Sequence, residues 1–302
     1  MALPAPLQEL WTAWGDIQGN ANHPVMVNVV GPAGEYRDGL KQLLLSQGGK
    51  AGCVRVVEGS MEVPPEADIH LVMLDPAFGP TTTQANMLRK VNPKGLLLVM
   101  IGGDESQFES RKREVATAVG VRTTHVIAVK TLSQLRGVLA KRLLTTFDEW
   151  VVPLARQFPF LRDDAANQEI NSTSQQNAMV GAMPIPGADM PIMTANQVKM
   201  ILRLAAIHDQ PMTLDRAKEV LAVVGSGLAL RTAARQLAKM IPGPGWIVGG
   251  ALGYGGTLAI GKGAVEYFRR VSGGAPRTPA TPKSGRARDA VIDTEAEVVD
   301  PR

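Results

Sequence analysis

Residues 27–44 read VNVVGPAGEYRDGLKQLL. An apolar run of strand length meets a turn with glycines at 31 and 34. A helix follows that sets Tyr36, Leu40, Leu43 and Leu44 on one face. Strand, glycine turn and helix in this order are how a phosphate-binding loop begins. In the pattern G-x-x-x-x-G-K-[ST], backbone N–H groups wrap the phosphates, the lysine reaches their outer oxygens and the hydroxyl holds Mg²⁺. Gly31 matches the first glycine, but Tyr36 stands at the second, Arg37 at the lysine and Asp38 at the Ser/Thr. A tyrosine side chain obstructs close backbone approach, and an aspartate adds negative charge beside phosphate. The layout is present and the chemistry is not.

Working outward, apolar runs recur at Val25–Val30, Val54–Val57, Ile69–Leu74, Leu96–Ile101 and Val126–Val129, most of them separated by helical stretches. This predicts a doubly wound α/β domain with a mostly parallel sheet over residues 24–144, after an N-terminal arm at 1–23. The proline-rich connection from Glu58 to Ala67 has room for an antiparallel edge hairpin. Thr131 with Gln134 has capping-box spacing and opens the last helix of the domain. A helical bridge with a Pro-rich linker follows at 145–192. In it Thr145–Phe160 reads as helix interrupted at Pro159. A polar helix opens at Asp163 and Asp164, and the stretch PIPGADMP (184–191) is read as non-helical. Residues 193–270 read as all helix, with Thr194 and Gln197 as a second capping box and the last helix running from about Trp246 to Phe268. The tail 271–302, basic from Arg277 to Arg288 and acidic from Asp289 to Asp300, is expected to be disordered.

The 302 residues suit two domains, and 45% apolar with 20% charged residues suits globular ones. A net charge of +4 with 4% aromatic residues is a weak footprint for nucleic acid, and none is expected as a partner. A single cysteine, Cys53, excludes an internal disulfide framework and suits a reducing compartment. The start of the chain lacks the pattern of a signal peptide, so the protein is expected in the cytoplasm or at its face of a membrane. His23, His70, His125 and His208 show no ligand spacing, and no nucleophile elbow or metalloprotease helix occurs. No metal or cofactor is expected. His70 and His125 are read as satisfied core or edge residues and Cys53 as a small buried one.

The most distinctive local signal is Met240–Gly261, MIPGPGWIVGGALGYGGTLAIG, which carries no charge and eight glycines. Gly245, Gly249, Gly253, Thr257 and Gly261 recur every four residues and form one stripe of minimal side chains on a helix. Each interior glycine costs about 1 kcal/mol of helix stability relative to alanine, so close approach of a neighbouring helix is the expected compensation. The length would also span a bilayer, but strongly apolar side chains are few. Both a buried soluble hairpin and one in contact with or inserted in the inner membrane therefore remain open. Arg231, Arg235 and Lys239 form a basic stripe leading into the run and would suit anionic headgroups or an acidic partner.

Two resemblances follow from these residues. Residues 24–144 resemble, in degraded form, the Era-like branch of translation-factor-type GTPases. LVMLDPAFG ends a strand with Asp75 where that family has D-x-x-G, with Phe78 in place of the glycine. MIGGDESQF ends another where the family has N-K-x-D, with Asp104 as the base-holding aspartate and Ile101 and Gly102 in place of Asn and Lys. The resemblance implies a vestigial nucleotide pocket at Gly31, Gly34, Arg37, Asp75 and Asp104. The stretch from Asn177 to Phe268 resembles a bacterial domain of unknown function fused to, or encoded with, Era-like GTPases. It does so through Asp189 before Pro191, Asn196-Gln197 with Met200, Arg231 and Arg235, Pro242-Gly243, Gly256-Thr257 and Tyr267-Phe268. That resemblance implies a GTPase-associated, membrane-annotated protein without established chemistry. The expectation is a non-catalytic interaction or scaffold protein with a pseudo-GTPase domain at or near the cytoplasmic membrane face. Its partner would be a protein, a GTPase or a second copy. The rival expectation is a divergent nucleotide hydrolase using Arg37, Asp75 and Asp104.

Overall fold

A computed structural model describes residues 15–58, 66–182, 189–211, 213 and 245–272. The proposed hairpin at 59–65, the basic stripe at Arg231, Arg235 and Lys239, and the tail from 273 lie outside the described residues, as do the first 14.

After a helical segment at 15–22 the chain runs β1 (Val27–Gly31), α1 (Glu35–Leu45), β2 (Val54–Glu58), β3 (Ile69–Leu74) and α2 (Thr82–Leu88). It continues through β4 (Leu96–Ile101), α3 (Phe108–Val119), β5 (Val126–Val129) and α4 (Leu132–Thr146). The five strands form one sheet in the order β2-β1-β3-β4-β5, with every neighbouring pair parallel. The order 2-1-3-4-5 is that of a flavodoxin-like doubly wound sheet, whose chain direction reverses between β1 and β3. All residues of β3 and β4 are buried, because helices cover both faces. Alternate residues serve opposite faces. Val27, Val29, Leu71, Leu97, Val99 and Ile127 join one core with Leu40 and Leu44 of α1 and Leu135 and Leu139 of α4. Val30, Val72, Leu96, Leu98 and Val126 join the other with Leu88 of α2 and Val115 and Val119 of α3. Edge strand β2 is only half-buried. The sheet is α/β and parallel as its apolar runs predict; its strand order by itself defines no GTPase.

The helical region consists of α5 (Val151–Gln157), α6 (Arg162–Ala182), α7 (Asp189–Ile207) and α8 (Gly245–Ser272). It shares the first core: Phe158, Ile170, Leu204 and Phe268, all buried, belong to the same cluster as Val27 and Leu97. Gln157 ties the two regions together. Its Oε1 accepts from Val25 N at 3.2 Å, its Nε2 donates to His23 O at 2.9 Å, and its carbonyl accepts from Lys50 N at 3.0 Å.

Three local expectations change. α7 begins at Asp189, so the last part of PIPGADMP is helical. Pro191 lies in the first turn, where a missing N–H breaks no helical bond. Thr194 is consequently inside α7 and not at its start. The bridge also divides, since a 3-10 turn at Asp148–Trp150 precedes α5 and another at Pro159–Leu161 precedes α6. The Thr131 cap is present: its Oγ1 accepts from Gln134 N at 3.4 Å, while Gln134 Oε1 accepts from Lys130 N at 2.9 Å. His70 and His125 are buried and partnered, by Asn28 Nδ2 at 3.3 Å and the Leu96 carbonyl at 2.8 Å. Cys53 is half-buried at the end of a 3-10 turn, and burial raises its thiol pKa.

Candidate functional site

In doubly wound sheets ligands bind beyond the carboxyl ends of the strands where the strand order reverses. A cleft of about 380 Å³ lies there, lined by residues 32–37 after β1, Met73–Pro76 at the end of β3 and Ile101–Gly103 at the end of β4. Gly34, Arg37 and Asp75 line it, Gly31 ends β1 beneath it, and Asp104 is not among its lining residues. Gly31 has a packing reason to be glycine: a Cβ there would stand 2.7 Å from the Cβ of Met73 on the neighbouring strand.

The electrostatics of the cleft oppose phosphate. Gly34 precedes α1 without a side-chain cap, which leaves the helix's positive end facing the loop. Glu35 and Asp38 occupy the first turn and supply the negative charge that end attracts. Arg37 Nη2 lies 3.3 Å from Asp38 Oδ1, and its Nη1 lies 3.8 Å from Glu58 Oε1. Arg37 thereby lies beside the protein's own carboxylates and hydrogen-bonds Asp38, while its buried Nη1 makes no hydrogen bond. The Asp75 carboxylate accepts from Ala77 N at 2.7 Å and Phe78 N at 3.2 Å, a local turn that leaves the Phe78 ring 84% exposed. Asp104 caps the following 3-10 turn, and hydrogen bonds from Ser106 hold its carboxyl below the usual carboxylate range. Both aspartates thus have structural duties in the described chain.

The glycine stripe builds a second arrangement. A Cβ on Gly253 would stand 2.3 Å from the Asn177 carbonyl oxygen, and one on Gly261 2.6 Å from Ile170 Cγ1. Gly253, Thr257 and Gly261 therefore face α6, Gly253 against its backbone, Thr257 against the Asn177 side chain and Gly261 against the Ile170 side chain. For Gly245 and Gly249 the backbone is helical in α8 and their surroundings lie outside the described residues. Gly255 and Gly256 would meet nothing within 4 Å. Close approach brings buried polar groups together. Asn177 Nδ2 donates to Thr257 Oγ1 at 2.8 Å and to the Met193 carbonyl at 3.3 Å. Gln197 Nε2 donates to the same Thr257 oxygen at 3.1 Å, and Asn196 Nδ2 to Asn177 Oδ1 at 2.8 Å. Asn177 and Thr257 are fully buried. The sequence places Asn177 on a polar helix and Gln197 in a cap; their joint role depends on α6, α7 and α8 meeting.

Thr257→Val keeps the shape and removes the shared acceptor, leaving the Gln197 amide and one Asn177 bond unmade. A loss of about 1–3 kcal/mol is expected in denaturant unfolding. Thr257→Ser, which keeps the oxygen, should lose much less. A valine variant as stable as the serine one would show that the network contributes nothing.

An α/β domain followed by a helical region is the class that this architecture defines. Residues 154–284 match a family described as a domain of unknown function (DUF697), which takes in α6, α7 and α8. Among curated proteins, magnetosome membrane protein 22 of Magnetospirillum gryphiswaldense is 28% identical over 116 residues, covering 35% of this chain. The match spans 59% of that relative's length. No solved structure matches the chain significantly. Among the described residues no helix is long and apolar enough to cross a membrane.

Proposed function

We propose that this is a non-catalytic interaction protein working at or near the cytoplasmic face of a membrane. On this reading the α/β domain keeps a GTPase-like layout but holds no nucleotide, and a protein partner or a second copy is what it engages. The observation that carries the proposal is the first turn of α1. Glu35 and Asp38 neutralise the helix end and Arg37 lies on Asp38, so a phosphate arriving there meets two carboxylates and no lysine. The magnetosome membrane protein's name and the helical glycine stripe support the membrane side of the reading. The attachment proposed is through headgroups or a membrane-bound partner.

Fractionation of cells expressing the full chain tests the location. The protein should sediment with membranes at low salt and be released at high salt, because screening weakens headgroup and rim contacts. Recovery entirely in the soluble fraction at low salt would overturn the membrane reading. For the cleft, Mg-GTP and Mg-ATP should bind more weakly than about 1 mM in calorimetric titration. Micromolar binding that Arg37→Ala abolishes would instead overturn the nucleotide-free reading of the cleft.

A further inference from the structure

We propose that a pocket between the two regions, formed by Arg136, Arg162, His208 and Arg269, binds a phosphate group. Its volume is about 300 Å³, and it is also lined by Gln47, the Asp163 carboxylate and the Pro159-Phe160 turn. It shares no residue with the switch-point cleft. α4 supplies Arg136, the first turn of α6 supplies Arg162, the end of α8 supplies Arg269, and His208 directly follows α7. Three separate segments thus bring an arginine each to one cavity, and a fourth brings His208.

Two observations indicate a ligand rather than a solvated basic surface. Among the described residues, four buried side-chain nitrogen or oxygen atoms have no hydrogen-bond partner: Arg162 Nε and His208 Nε2, both on residues that line this pocket, Arg37 Nη1, on a residue of the switch-point cleft, and Ser174 Oγ. His208 is 5% exposed, so bulk water does not satisfy it. A buried donor without a partner is costly, and an oxyanion supplies the acceptor that Arg162 Nε lacks, and that His208 Nε2 lacks when it carries the ring proton. The charge balance gives the class. Among the lining residues, three arginines face the Asp163 carboxylate, and Asp209 beside Arg162 and Glu266 beside Arg269 reduce but do not reverse the positive excess when His208 is neutral. Asp163 is already engaged by Arg269 Nη2 at 2.6 Å. A phosphate anion suits that excess, and the planar fork of arginine is suited to its oxygens. Desolvation and the facing Arg162 and Arg269 also depress the His208 pKa, as a positive local field requires.

The phosphate is either free, on a soluble molecule, or the headgroup of an anionic lipid. Calorimetric titration of the full chain with inorganic phosphate, against a chloride control, should show saturable binding. Arg136 is exposed and its replacement leaves the core intact, so Arg136→Gln should weaken that binding about tenfold with folding unchanged. Arg162→Gln should weaken it further, and phosphate should shift the His208 ring signals in NMR of the parent. Flotation with phosphatidylcholine vesicles, with and without phosphatidic acid, separates the sources. Phosphatidic-acid binding that free phosphate displaces assigns the lipid headgroup, and phosphate binding without vesicle binding assigns the soluble source. The proposal is overturned if phosphate does not bind, or binds equally well to Arg136→Gln and Arg162→Gln.

Discussion

Gly253→Leu is expected to destabilise the protein by about 3 kcal/mol, at the upper end of what overpacking costs. The reason is the identity of the neighbour. The first side-chain atom added at 253 would lie 2.3 Å from the Asn177 carbonyl oxygen and 2.9 Å from its carbonyl carbon. That neighbour is helix backbone and cannot rotate away as a side chain would. α6 and α8 would have to separate, and separation also stretches the Asn177–Thr257 bond at 2.8 Å. Leucine's better helix propensity returns less than about 1 kcal/mol, so the clash decides the sign. Gly255→Ala on the same helix supplies the opposite case. With nothing within 4 Å of the new methyl, propensity alone acts, and the variant should gain up to about 1 kcal/mol. Denaturant unfolding of both variants would sink the packing argument if they shifted stability in the same direction.

The strands of the α/β domain were legible because each is a short apolar run bounded by turn residues. Burial on both faces makes that pattern nearly continuous, as in Ile69–Leu74 and Leu96–Ile101. Sheet order left no such trace, since it depends on which crossover goes where. The periodicity of the glycines gave the face of α8 at Gly253, Thr257 and Gly261, but not the partner. Identifying α6 requires knowing that Asn177 is buried, and a polar helix in sequence reads as an exposed one. The start of α7 was misplaced because Pro191 reads as a breaker, although a proline in a helix's first turn is harmless. At the switch point, the sequence alone shows that the lysine is absent. That Arg37 lies against Asp38, and that Asp75 and Asp104 are used in local turns, are facts of geometry. The pocket of Arg136, Arg162, His208 and Arg269 was out of reach altogether, because its members are scattered over more than a hundred residues with no common spacing.

Stability should fall as pH is lowered from 7 toward 4, and His208 should account for about 3 kcal/mol of that fall. Burial first, then the facing Arg162 and Arg269, push the His208 pKa from 6.5 down to about 4, with Asp163 acting weakly the other way. The exposed Arg136 also lines the pocket, and Phe268 stacks on the ring at a centroid distance of 6.1 Å. In the unfolded chain the ring titrates at its ordinary value. Between these two pKa values the unfolded state holds the extra proton, so unfolding becomes easier as pH falls. The contribution is complete above about 6.5, shrinks through the window below, and is gone once the folded protein also takes up the proton near 4. At about 1.36 kcal/mol per unit, the 6.5-to-4 window gives the figure stated. Carboxylates titrate at its lower end, so the informative comparison is with His208→Gln, which retains every other group. In phosphate-free buffer the two stability curves should converge as pH falls from 7 to 5. Parallel curves would mean that His208 titrates normally and that its surroundings are wetter and less positive than this arrangement requires. Adding phosphate should flatten the parent's curve, because an anion beside Arg162 and Arg269 lets the folded protein keep a protonated His208 at higher pH.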